Sequence, residues 1–425
     1  MKIYWPMSCC TLAQKTIKVL KLAAPPGPLT AHVLLPSSKS ISNRLLIIRE
    51  LSTAPFRIDQ LSDADDTRIL AEVLSENSNL ENCGHGGTTM RFLLALRCLQ
   101  GHEGIITGSS RLKVRPIRPL VDTLKALGAA ISYEEKEGFL PLRLGKSILH
   151  GGEISIRADV SSQFISALLL IAPRLSEPLT LRLTGNIVSS TYIKMSIDLM
   201  RSFGADVTTD ADRILVKPSQ YTARDFAVPG DWSAAAFFYA MAALRPGSRM
   251  TLPRLGKDQL QGDRRLIELM KDFGVETLVQ EDDVIISGTG VLKESYTYDF
   301  TETPDLAQSF AVMAAVSNRP LHLSGLSTLK GKETDRLLAL KIELEKAGAQ
   351  LHITDDSLEV KAGIKISSLS QPTFNTYADH RMVMALSLLS LSGEQVTINE
   401  PEQVAKSFPT YFSELEKMGF QTVFK

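Results

Sequence analysis

Residues 121–133 of the chain read VDTLKALGAAISY. Apolar residues return every three or four positions up to Leu127, which is typical of an amphipathic helix. Gly128 then stands where helices commonly end, because glycine adopts the left-handed conformation at little cost. The β-branched and aromatic residues that follow favour a strand. The stretch therefore predicts a helix, a closing glycine and a strand in direct succession.

The same helix–glycine–strand pattern returns along the chain at nearly even spacing. The further copies are residues 197–203 before Gly204, 267–273 before Gly274, 342–347 before Gly348 and 412–418 before Gly419. From Gly128 onward the glycines are separated by 76, 70, 74 and 71 residues. A degenerate sixth copy, residues 66–77, lacks the glycine. Solenoid repeats span only about 20 to 50 residues. Six units of this size instead predict an α/β (α+β) protein with three units in each of two domains.

The composition is that of an ordinary globular protein. Its 425 residues include 47 Lys and Arg against 47 Asp and Glu, and 44% are hydrophobic. The zero net charge argues against general binding to nucleic acid or to a membrane surface. No apolar run approaches the roughly 18 residues of a membrane-spanning helix. The four cysteines (Cys9, Cys10, Cys83 and Cys98) form no C-x-x-C pair and residues 1–14 do not resemble a secretory signal, so we expect a cytoplasmic protein.

Basic residues gather at helix starts that are rich in Ser, Thr and Gly. The clusters are residues 37–44, 84–91, 109–118, 332–336 and 379–381 with Lys406, and residues 161–163 add hydroxyls and an amide. Free backbone amides and nearby cations at a helix start bind anions. Each cluster alone also fits an ordinary helix cap. Their number favours a site that gathers several anionic groups.

Several familiar site motifs are absent from the sequence. Residues 145–147 read GKS, but Leu140 stands where a P-loop requires glycine, and no G-x-G-x-x-G or G-x-S-x-G occurs. The seven histidines show no zinc-ligand spacing. The sequence thus predicts an anion-handling enzyme without metal, nucleotide or redox cofactor. Asp305 precedes an apolar helix over 306–316, where it is either an N-cap or a base held near cations.

Seven short motifs carry a family resemblance. They are KSISNR at 39–44, GTTMR at 87–91, RPI at 115–117, SSQF at 161–164, KETDR at 332–336, DHRM at 379–382 and AKSFP at 405–409. In this order, and across roughly residues 30 to 425, they resemble the EPSP synthases, the 3-phosphoshikimate 1-carboxyvinyltransferases. Each motif alone is weak, but the set is highly specific.

The resemblance implies both a fold and a reaction. The fold is a two-domain inside-out α/β barrel with three βαβαββ units per domain. Domain I comprises residues 1–37 and 230–425, domain II comprises residues 38–229, and ligands close the two together. The reaction moves the enolpyruvyl group of phosphoenolpyruvate to the 5-hydroxyl of shikimate 3-phosphate by addition and elimination, releasing phosphate, in the chorismate pathway to aromatic amino acids. The resemblance implies a cytoplasmic monomer without a cofactor.

Residue roles also follow from the resemblance. The shikimate phosphate is expected at Ser161, Ser162 and Ser189, with the ring near Ser40, Arg44, Gln163, Tyr192 and Thr328. Phosphoenolpyruvate is expected at Arg115, Arg336, Arg381 and Lys406, close to the backbone of Gly87, with Lys39 between both ligands. Glu333 is the expected proton donor and Asp305 the expected acceptor, with Lys332 beside them.

The sequence leaves the division of acid and base open among Glu333, Asp305 and Lys332. A carboxylic acid that donates a proton at neutral pH needs a raised pKa, whereas neighbouring cations lower it. The chain also departs from the family pattern. His85 stands where Asn is usual, Thr328 where Asn is frequent, and residues 190–191 replace Lys-Pro. The effect of His85 on phosphoenolpyruvate binding stays open.

Two other functions compete with this interpretation. The related enolpyruvyl transferase that acts on a UDP-amino sugar shares the fold, but it uses a cysteine in the loop before the third cluster. Residues 103–118 contain none. The second rival is a non-catalytic repeat protein that binds polyanions. Such a protein needs cations but no acid and base paired among them.

Overall fold

The structure is a computed structural model that describes residues 19–76, 78–366 and 372–425. The N-terminal stretch 1–14 with Cys9 and Cys10, and the end of the degenerate repeat at Asn77, lie outside the described residues. The strands are β1 (Val19–Ala23), β2 (Thr30–His32), β3 (Ile58–Asp59), β4 (Leu80–Asn82), β5 (Gly104–Thr107), β6 (Ile131–Tyr133), β7 (Leu142–Leu144), β8 (Gly152–Arg157), β9 (Leu179–Thr184), β10 (Val207–Asp210), β11 (Arg213–Val216), β12 (Phe226–Ala227), β13 (Arg249–Leu252), β14 (Val275–Gln280), β15 (Asp283–Gly288), β16 (Tyr296–Asp299), β17 (Leu321–Ser324), β18 (Gln350–Ile353), β19 (Leu358–Ala362), β20 (Thr373–Phe374), β21 (Val396–Asn399) and β22 (Gln421–Phe424).

Helices alternate with these strands. They are α1 (Lys39–Leu51), α2 (Asp65–Glu76), α3 (Gly87–Gln100), α4 (Ser110–Lys113), α5 (Arg118–Ala126), α6 (Ser162–Ile171), α7 (Ser190–Ser202), α8 (Trp232–Leu244), α9 (Leu266–Leu269), α10 (Ala307–Val316), α11 (Arg336–Lys346), α12 (His380–Ser387) and α13 (Tyr411–Lys417). Short 3-10 helices cover Ala172–Arg174, Gly262–Arg265, Met270–Phe273, Pro304–Leu306, Ser327–Gly331, Leu388–Ser392 and Pro401–Lys406. No helix within the described ranges is long and apolar enough to cross a membrane.

Five four-stranded sheets within the described ranges share one strand pattern. In the first, β4 runs parallel to β5, and β7 and then β6 complete the sheet in antiparallel pairing. The sheets β8-β9-β11-β10, β2-β13-β15-β14, β16-β17-β19-β18 and β20-β21-β1-β22 follow the same order of pairings. With the intervening helices, each sheet forms a βαβαββ unit, as the repeat predicts.

The sixth unit is reduced to two strands. Here β3 pairs in parallel with β12, with Ile58 opposite Phe226. Only residues 77–79 separate α2 from β4, so the chain between them has no room for the two antiparallel strands that complete the other units. The degenerate copy lacks its glycine because no such strand follows the helix.

The repeat glycines adopt the predicted left-handed conformation. Their φ angles lie between 65° at Gly274 and 107° at Gly128, a region that side-chain-bearing residues rarely occupy. The third copy differs from the prediction, because residues 267–273 divide between α9 and a 3-10 turn. The strand after Gly128 begins at Ile131, two residues later than predicted. The amide of Ala129 still bonds the helix carbonyl of Leu124, at 2.9 Å, which keeps these residues in the helix cap.

Two separate hydrophobic cores organise the chain. One contains residues drawn from 20–35 and 232–420, which we call the split lobe, and the other contains residues drawn from 41–228, the continuous lobe. Helix α8 of the split lobe is buried almost throughout, as its sequence WSAAAFFYAMAAL without a polar face requires. The two chain crossovers between the lobes run side by side, and the Ser38 amide donates to the Pro229 carbonyl at 2.8 Å.

Candidate active site

A cavity lies between the two lobes and is lined by side chains from both. Sixteen of the seventeen predicted site residues line it: Lys39, Ser40, Arg44, Gly87, Arg115, Ser161, Ser162, Gln163, Ser189, Tyr192, Asp305, Thr328, Lys332, Glu333, Arg336 and Arg381. The remaining residue, Lys406, is buried beside it and donates to the Ala378 carbonyl at 2.6 Å. The scattered basic clusters of the sequence thus converge on one place.

Lys39 is placed by the first turn of α1 and held by an acid. Its Nζ lies 3.0 Å from Oδ2 of Asp66, and both side chains are largely buried. Burial alone lowers the pKa of a lysine, but the charges of Asp66 and Glu333 outweigh it and raise the pKa of Lys39 above its usual value. Lys39 therefore enters the cavity as a firmly protonated cation.

Arg44 is bound mainly by the protein. Its Nε donates to Ser196 Oγ at 2.7 Å, and its Nη2 donates to Ser166 Oγ and to the Tyr192 carbonyl, both at 3.1 Å. Its Nη1 donates to the Ser40 carbonyl at 2.8 Å. These partners are neutral, and burial lowers the pKa of Arg44 to about 10. Arg44 thus ties α1 to α6 and α7 at the cavity wall.

Gly87 begins α3 against two guanidinium groups. A Cβ built at this position would lie 2.6 Å from Nη1 of Arg115 and 2.6 Å from Nη1 of Arg91. Burial, together with the charge of Arg115, lowers the pKa of Arg91. Within the described residues the Nε atoms of both arginines lack a hydrogen-bond partner. The absence of a side chain at Gly87 lets two cations with unused donors approach its backbone.

The hydroxyl groups of the continuous lobe sit at helix starts. Ser161 caps α6, and its Oγ accepts the Gln163 amide at 3.3 Å. Gln163 in turn accepts Nη1 of Arg91 at 2.9 Å. Ser189 precedes α7 with φ of 54°, and its amide donates to the Thr301 carbonyl of the split lobe at 2.9 Å. Two helix N-termini with hydroxyl side chains therefore face the cavity, as an anion site requires.

Arg336, at the start of α11, binds three carboxylates. Its Nε and Nη2 donate to Asp379 at 2.7 and 3.3 Å, its Nη1 donates to Asp305 at 3.0 Å, and its Nη2 also reaches Glu333 at 2.9 Å. These charges raise its pKa, although burial acts against them. These bonds engage four of the five N–H donors of Arg336, so an anion that is to bind it through a pair of hydrogen bonds must take the place of one carboxylate.

Asp305 acts as a charge partner and not as a helix cap. Its carboxylate accepts Tyr192 Oη at 3.0 Å and Arg381 Nη2 at 3.2 Å, and Lys332 Nζ lies 3.5 Å away. Burial raises the pKa of a carboxyl, but the charges of Arg381 and Lys332 outweigh it and hold the pKa well below its usual range. Of the two interpretations of Asp305, the structure favours the acid held near cations.

Glu333 is ionised in this arrangement. Burial alone raises its pKa, but the charges of Arg336 and Arg115 hold the pKa well below its usual range. The nearer contact is to Arg336 Nη2, and Arg115 Nη1 lies 3.9 Å away. The charges of these two arginines therefore outweigh the effect of burial on the pKa of Glu333. Glu333 holds no proton until something weakens its cation contacts.

Two lysines of the split lobe have lowered pKa values. Burial is the main cause for both Lys332 and Lys406. Nearby His380 is also buried, and burial with the charge of Lys39 lowers its pKa, so its ring is neutral. Within the described ranges, no group of three or more His, Cys, Asp or Glu side chains is placed to hold a metal.

Some cavity residues were given no role by the sequence analysis. Asp66, Arg91 and Asp231 line the cavity, and Asp379 organises Arg336 from just behind it. Arg91 and Asp379 occur within the quoted motifs, but a motif does not reveal which side chain meets which. For Asp66, the one sequence signal is an acid in the first turn of α2, and such an acid is equally expected from its interaction with the helix dipole.

The positions that depart from the family pattern lie at or near this cavity. His85 Nδ1 is hydrogen-bonded to Ser109 Oγ at 2.8 Å, and the charge of Lys406 contributes, after burial, to lowering its pKa. The Thr328 hydroxyl is buried on the cavity wall without a partner among the described residues. Ser190 donates to Glu302, which makes it part of the contact between the lobes.

Comparison with known proteins places this geometry in a family. Residues 74–415 match the family model "EPSP synthase (3-phosphoshikimate 1-carboxyvinyltransferase)". A 3-phosphoshikimate 1-carboxyvinyltransferase of Bacteroides fragilis is 43% identical over 402 residues, which cover 94% of this chain and 98% of the relative. One from Aliivibrio fischeri is 34% identical over 424 residues, with coverage of 93% and 98%.

Solved structures share the fold. The EPSP synthase of Acinetobacter baumannii superposes with a TM-score of 0.77 at 21% identity, covering 96% of this chain and all of that one. The enolpyruvyl transferase NikO of Streptomyces tendae gives 0.74 at 15% identity, covering 96% and 99%. At such identities the likeness confirms the predicted fold class alone. The family model and the curated relatives distinguish among the enolpyruvyl transferases. Because the chain matches both, it belongs to the EPSP synthase family.

Proposed function

We propose that the cavity between the lobes binds shikimate 3-phosphate and phosphoenolpyruvate, and that its side chains transfer the enolpyruvyl group to the 5-hydroxyl with release of phosphate. Family membership makes the chain a transferase of aromatic amino-acid biosynthesis, as the motifs predict. The observation that carries the residue roles is the convergence of Lys39, Arg115 and Arg336 from two lobes on one cavity that also holds Asp305 and Glu333. Two acids among cations distinguish such a site from a mere polyanion binder.

The shikimate 3-phosphate half lies on the continuous lobe. Ser161, Ser162 and Ser189 bind its phosphate with hydroxyl groups and helix-start amides. Gln163 and Tyr192 orient the ring. Beside them, Ser40 offers a further ring contact, and Thr328 offers one from the facing split lobe. Arg44 supports this half indirectly, because its donors are engaged by the protein.

The phosphoenolpyruvate half lies where the lobes meet. Arg115 approaches from the continuous lobe, whereas Arg336, Arg381 and Lys406 belong to the split lobe. Arginine forks bind carboxylates and phosphates through paired hydrogen bonds, which fixes the orientation of the ligand as well as neutralising it. The bare backbone of Gly87 lets Arg115 come close to it, and this ligand binds against that backbone.

The proton steps use the two acids in opposite directions. In the addition, the 5-hydroxyl oxygen bonds to C2 of phosphoenolpyruvate and its proton passes to Asp305, while C3 gains a proton from Glu333. In the elimination, the bond from C2 to the phosphate oxygen breaks, C3 returns its proton to Glu333, and the departing phosphate carries off the proton of Asp305. Lys332, whose pKa burial lowers, is the second candidate for the acceptor.

Substrate binding prepares Glu333 for this role. The contacts with Arg336 and Arg115 hold Glu333 ionised. The carboxylate and phosphate of phosphoenolpyruvate compete for the same cations and add negative charge, both of which raise the pKa of Glu333. The acid thus takes up its proton as the substrate arrives.

The test of the proposed function is a coupled phosphate-release assay. Shikimate 3-phosphate together with phosphoenolpyruvate is expected to release phosphate, and replacing shikimate 3-phosphate by UDP-N-acetylglucosamine is expected to abolish release. Release of phosphate from phosphoenolpyruvate with the UDP-sugar, but not with shikimate 3-phosphate, would assign the chain to the rival transferase. Binding of either substrate without any release would support the non-catalytic rival.

We further propose that domain I comprises residues 1–37 and 230–425, that domain II comprises residues 38–229, and that the protein acts as a cytoplasmic monomer without nucleic-acid or membrane partners. The two hydrophobic cores support this division. The free buried thiols of Cys83 and Cys98 are in keeping with a reducing compartment. Sedimentation velocity tests the monomer, and small-angle scattering with and without both substrates tests closure of the domains.

A further inference from the structure

Two consecutive residues beside the cavity adopt a backbone conformation that side chains disfavour. Tyr377 has φ of 56° and Ala378 has φ of 53°. L-residues other than glycine visit this left-handed region rarely, and mostly as single residues. Such conformations persist only where the surroundings impose them, and they cluster at functional sites. The pair lies in the link from β20 to α12.

A buried carboxylate of α11 fixes this link. Glu343 is fully buried, and its Oε1 accepts the Tyr377 hydroxyl at 2.6 Å. Its Oε2 accepts the Asn375 amide at 3.1 Å and Lys346 Nζ at 2.5 Å. One acid therefore binds the link at its backbone and at a side chain, two residues apart.

The far side of the link serves the cations of the cavity. The Ala378 carbonyl accepts Lys406 Nζ at 2.6 Å. Asp379, the next residue, caps α12 by accepting a hydrogen bond from the Arg381 amide at 2.8 Å. Its carboxylate also accepts a hydrogen bond from Arg336 Nε at 2.7 Å. A rotation of the left-handed pair would displace the carbonyl that Lys406 uses and the carboxylate that Arg336 uses.

We propose that Tyr377 and Glu343 are positioning residues for phosphoenolpyruvate: their hydrogen bond holds the left-handed pair so that Lys406, Arg336 and Arg381 meet the ligand in one fixed arrangement. Neither side chain lines the cavity, so each acts through the link and not by touching substrate. The inference rests on the proposed function, because it assigns these three cations to phosphoenolpyruvate.

The test is Tyr377→Phe, which removes a single hydroxyl group. We expect the KM for phosphoenolpyruvate to rise about 10-fold, because the lost bond to a carboxylate loosens three cations at once. The KM for shikimate 3-phosphate should stay within about twofold, since the serine half lies on the other lobe, and kcat should fall by a smaller factor than the KM for phosphoenolpyruvate rises. A smaller folded fraction would instead lower the apparent kcat and leave both KM values unchanged. Thermal melting checks that the variant folds.

Two further variants make the test specific. Glu343→Gln should raise the same KM at least as much, because it also weakens the bonds from Asn375 and Lys346. The double variant should raise the KM by less than the sum of the two single effects, because both changes remove the bond between Tyr377 and Glu343. The matched control is Tyr298→Phe, which removes another tyrosine–carboxylate bond of the split lobe, 2.8 Å to Asp272, and should leave both KM values unchanged.

An unchanged KM for phosphoenolpyruvate in Tyr377→Phe, an equal rise in the control, or additive effects would overturn the proposal. Retained turnover in any of these cases keeps the proposed function intact, whereas absence of turnover in the parent protein refutes the function itself.

Discussion

The hydroxyl of Tyr192 donates to the carboxylate of Asp305 across 3.0 Å, and this bond joins the continuous lobe to the split lobe at the cavity. Two further hydrogen bonds lie close by: the Ser189 amide donates to the Thr301 carbonyl at 2.9 Å, and the Thr191 hydroxyl donates to the Glu302 carbonyl at 2.8 Å. The N-terminus of α7 therefore docks on the segment that carries Asp305. The contact between the lobes therefore also positions the acid.

Replacing Tyr192 by Phe tests this coupling. The variant loses the only side-chain hydrogen bond of its hydroxyl that the described residues show, and with it one of the interactions that hold the pKa of Asp305 down. We expect kcat/KM for shikimate 3-phosphate to fall about 10- to 100-fold, equivalent to roughly 1.4 to 2.7 kcal/mol. Steady-state kinetics with each substrate varied in turn provides the measurement. An unaltered kcat/KM would show that the bond is dispensable.

Glu333→Gln and Asp305→Asn separate the proton donor from the acceptor. Each substitution keeps the shape of the side chain but removes its ability to exchange a proton. We expect each to lower kcat about 100-fold or more, with smaller changes in KM, because general acid–base groups contribute about 10²–10⁴-fold. Near-normal kcat in Asp305→Asn would transfer the acceptor role to Lys332, and near-normal kcat in Glu333→Gln would end its role as donor.

Gly87→Ala tests the close approach of the guanidinium groups. The added methyl would lie 2.6 Å from Nη1 of both Arg115 and Arg91, so these side chains must move away from the cavity backbone. We expect the KM for phosphoenolpyruvate to rise about 10-fold or more, as when roughly 1.4 kcal/mol of binding is lost. Gly27→Ala is the matched control, because nothing lies within 4 Å of a Cβ there. A similar KM in both variants would contradict the expectation.

Asp263 makes stability depend on pH. It is buried, and its Oδ2 accepts a hydrogen bond from the Ser233 hydroxyl, whereas its Oδ1 has no partner among the described residues. Burial, with the charge of nearby Asp305, raises its pKa to about 7, whereas an unfolded chain has a value of about 3.9. Between these values the folded state holds a proton that the unfolded state has released. The free energy of unfolding therefore falls as the pH rises through this window.

Asp263→Asn removes this loss, because the amide keeps the size of the side chain and carries no charge. The variant should gain stability over the parent by about 1.4 kcal/mol per pH unit between pH 5 and 7, levelling off above pH 7 at a total of no more than about 4 kcal/mol. Denaturant unfolding of both proteins at several pH values measures the difference. A difference that is constant with pH would show that Asp263 does not titrate in this range.

The sequence determined the repeat, the fold class and the membership of the basic clusters. Helix periodicity and the closing glycines at positions such as Gly128 and Gly204 are local signals, since they depend on residues within a few positions of each other. The motif set then led to the family and to most of the residues that line the cavity. The degenerate sixth copy was recognisable from its missing glycine, but only the structure shows that its unit has two strands.

Only the tertiary structure decided which charges meet and which state they hold. Tyr192 and Asp305 lie 113 positions apart, and Arg336 and Asp379 lie 43 apart, so neither pairing leaves a local trace. The state of Glu333 depends on burial set against several cations from two lobes, a sum that requires their distances. The periodicity of the sequence determines each helix and strand by itself. The charge state of a buried group depends on elements that are distant in the sequence and pack together, so the sequence alone does not determine it.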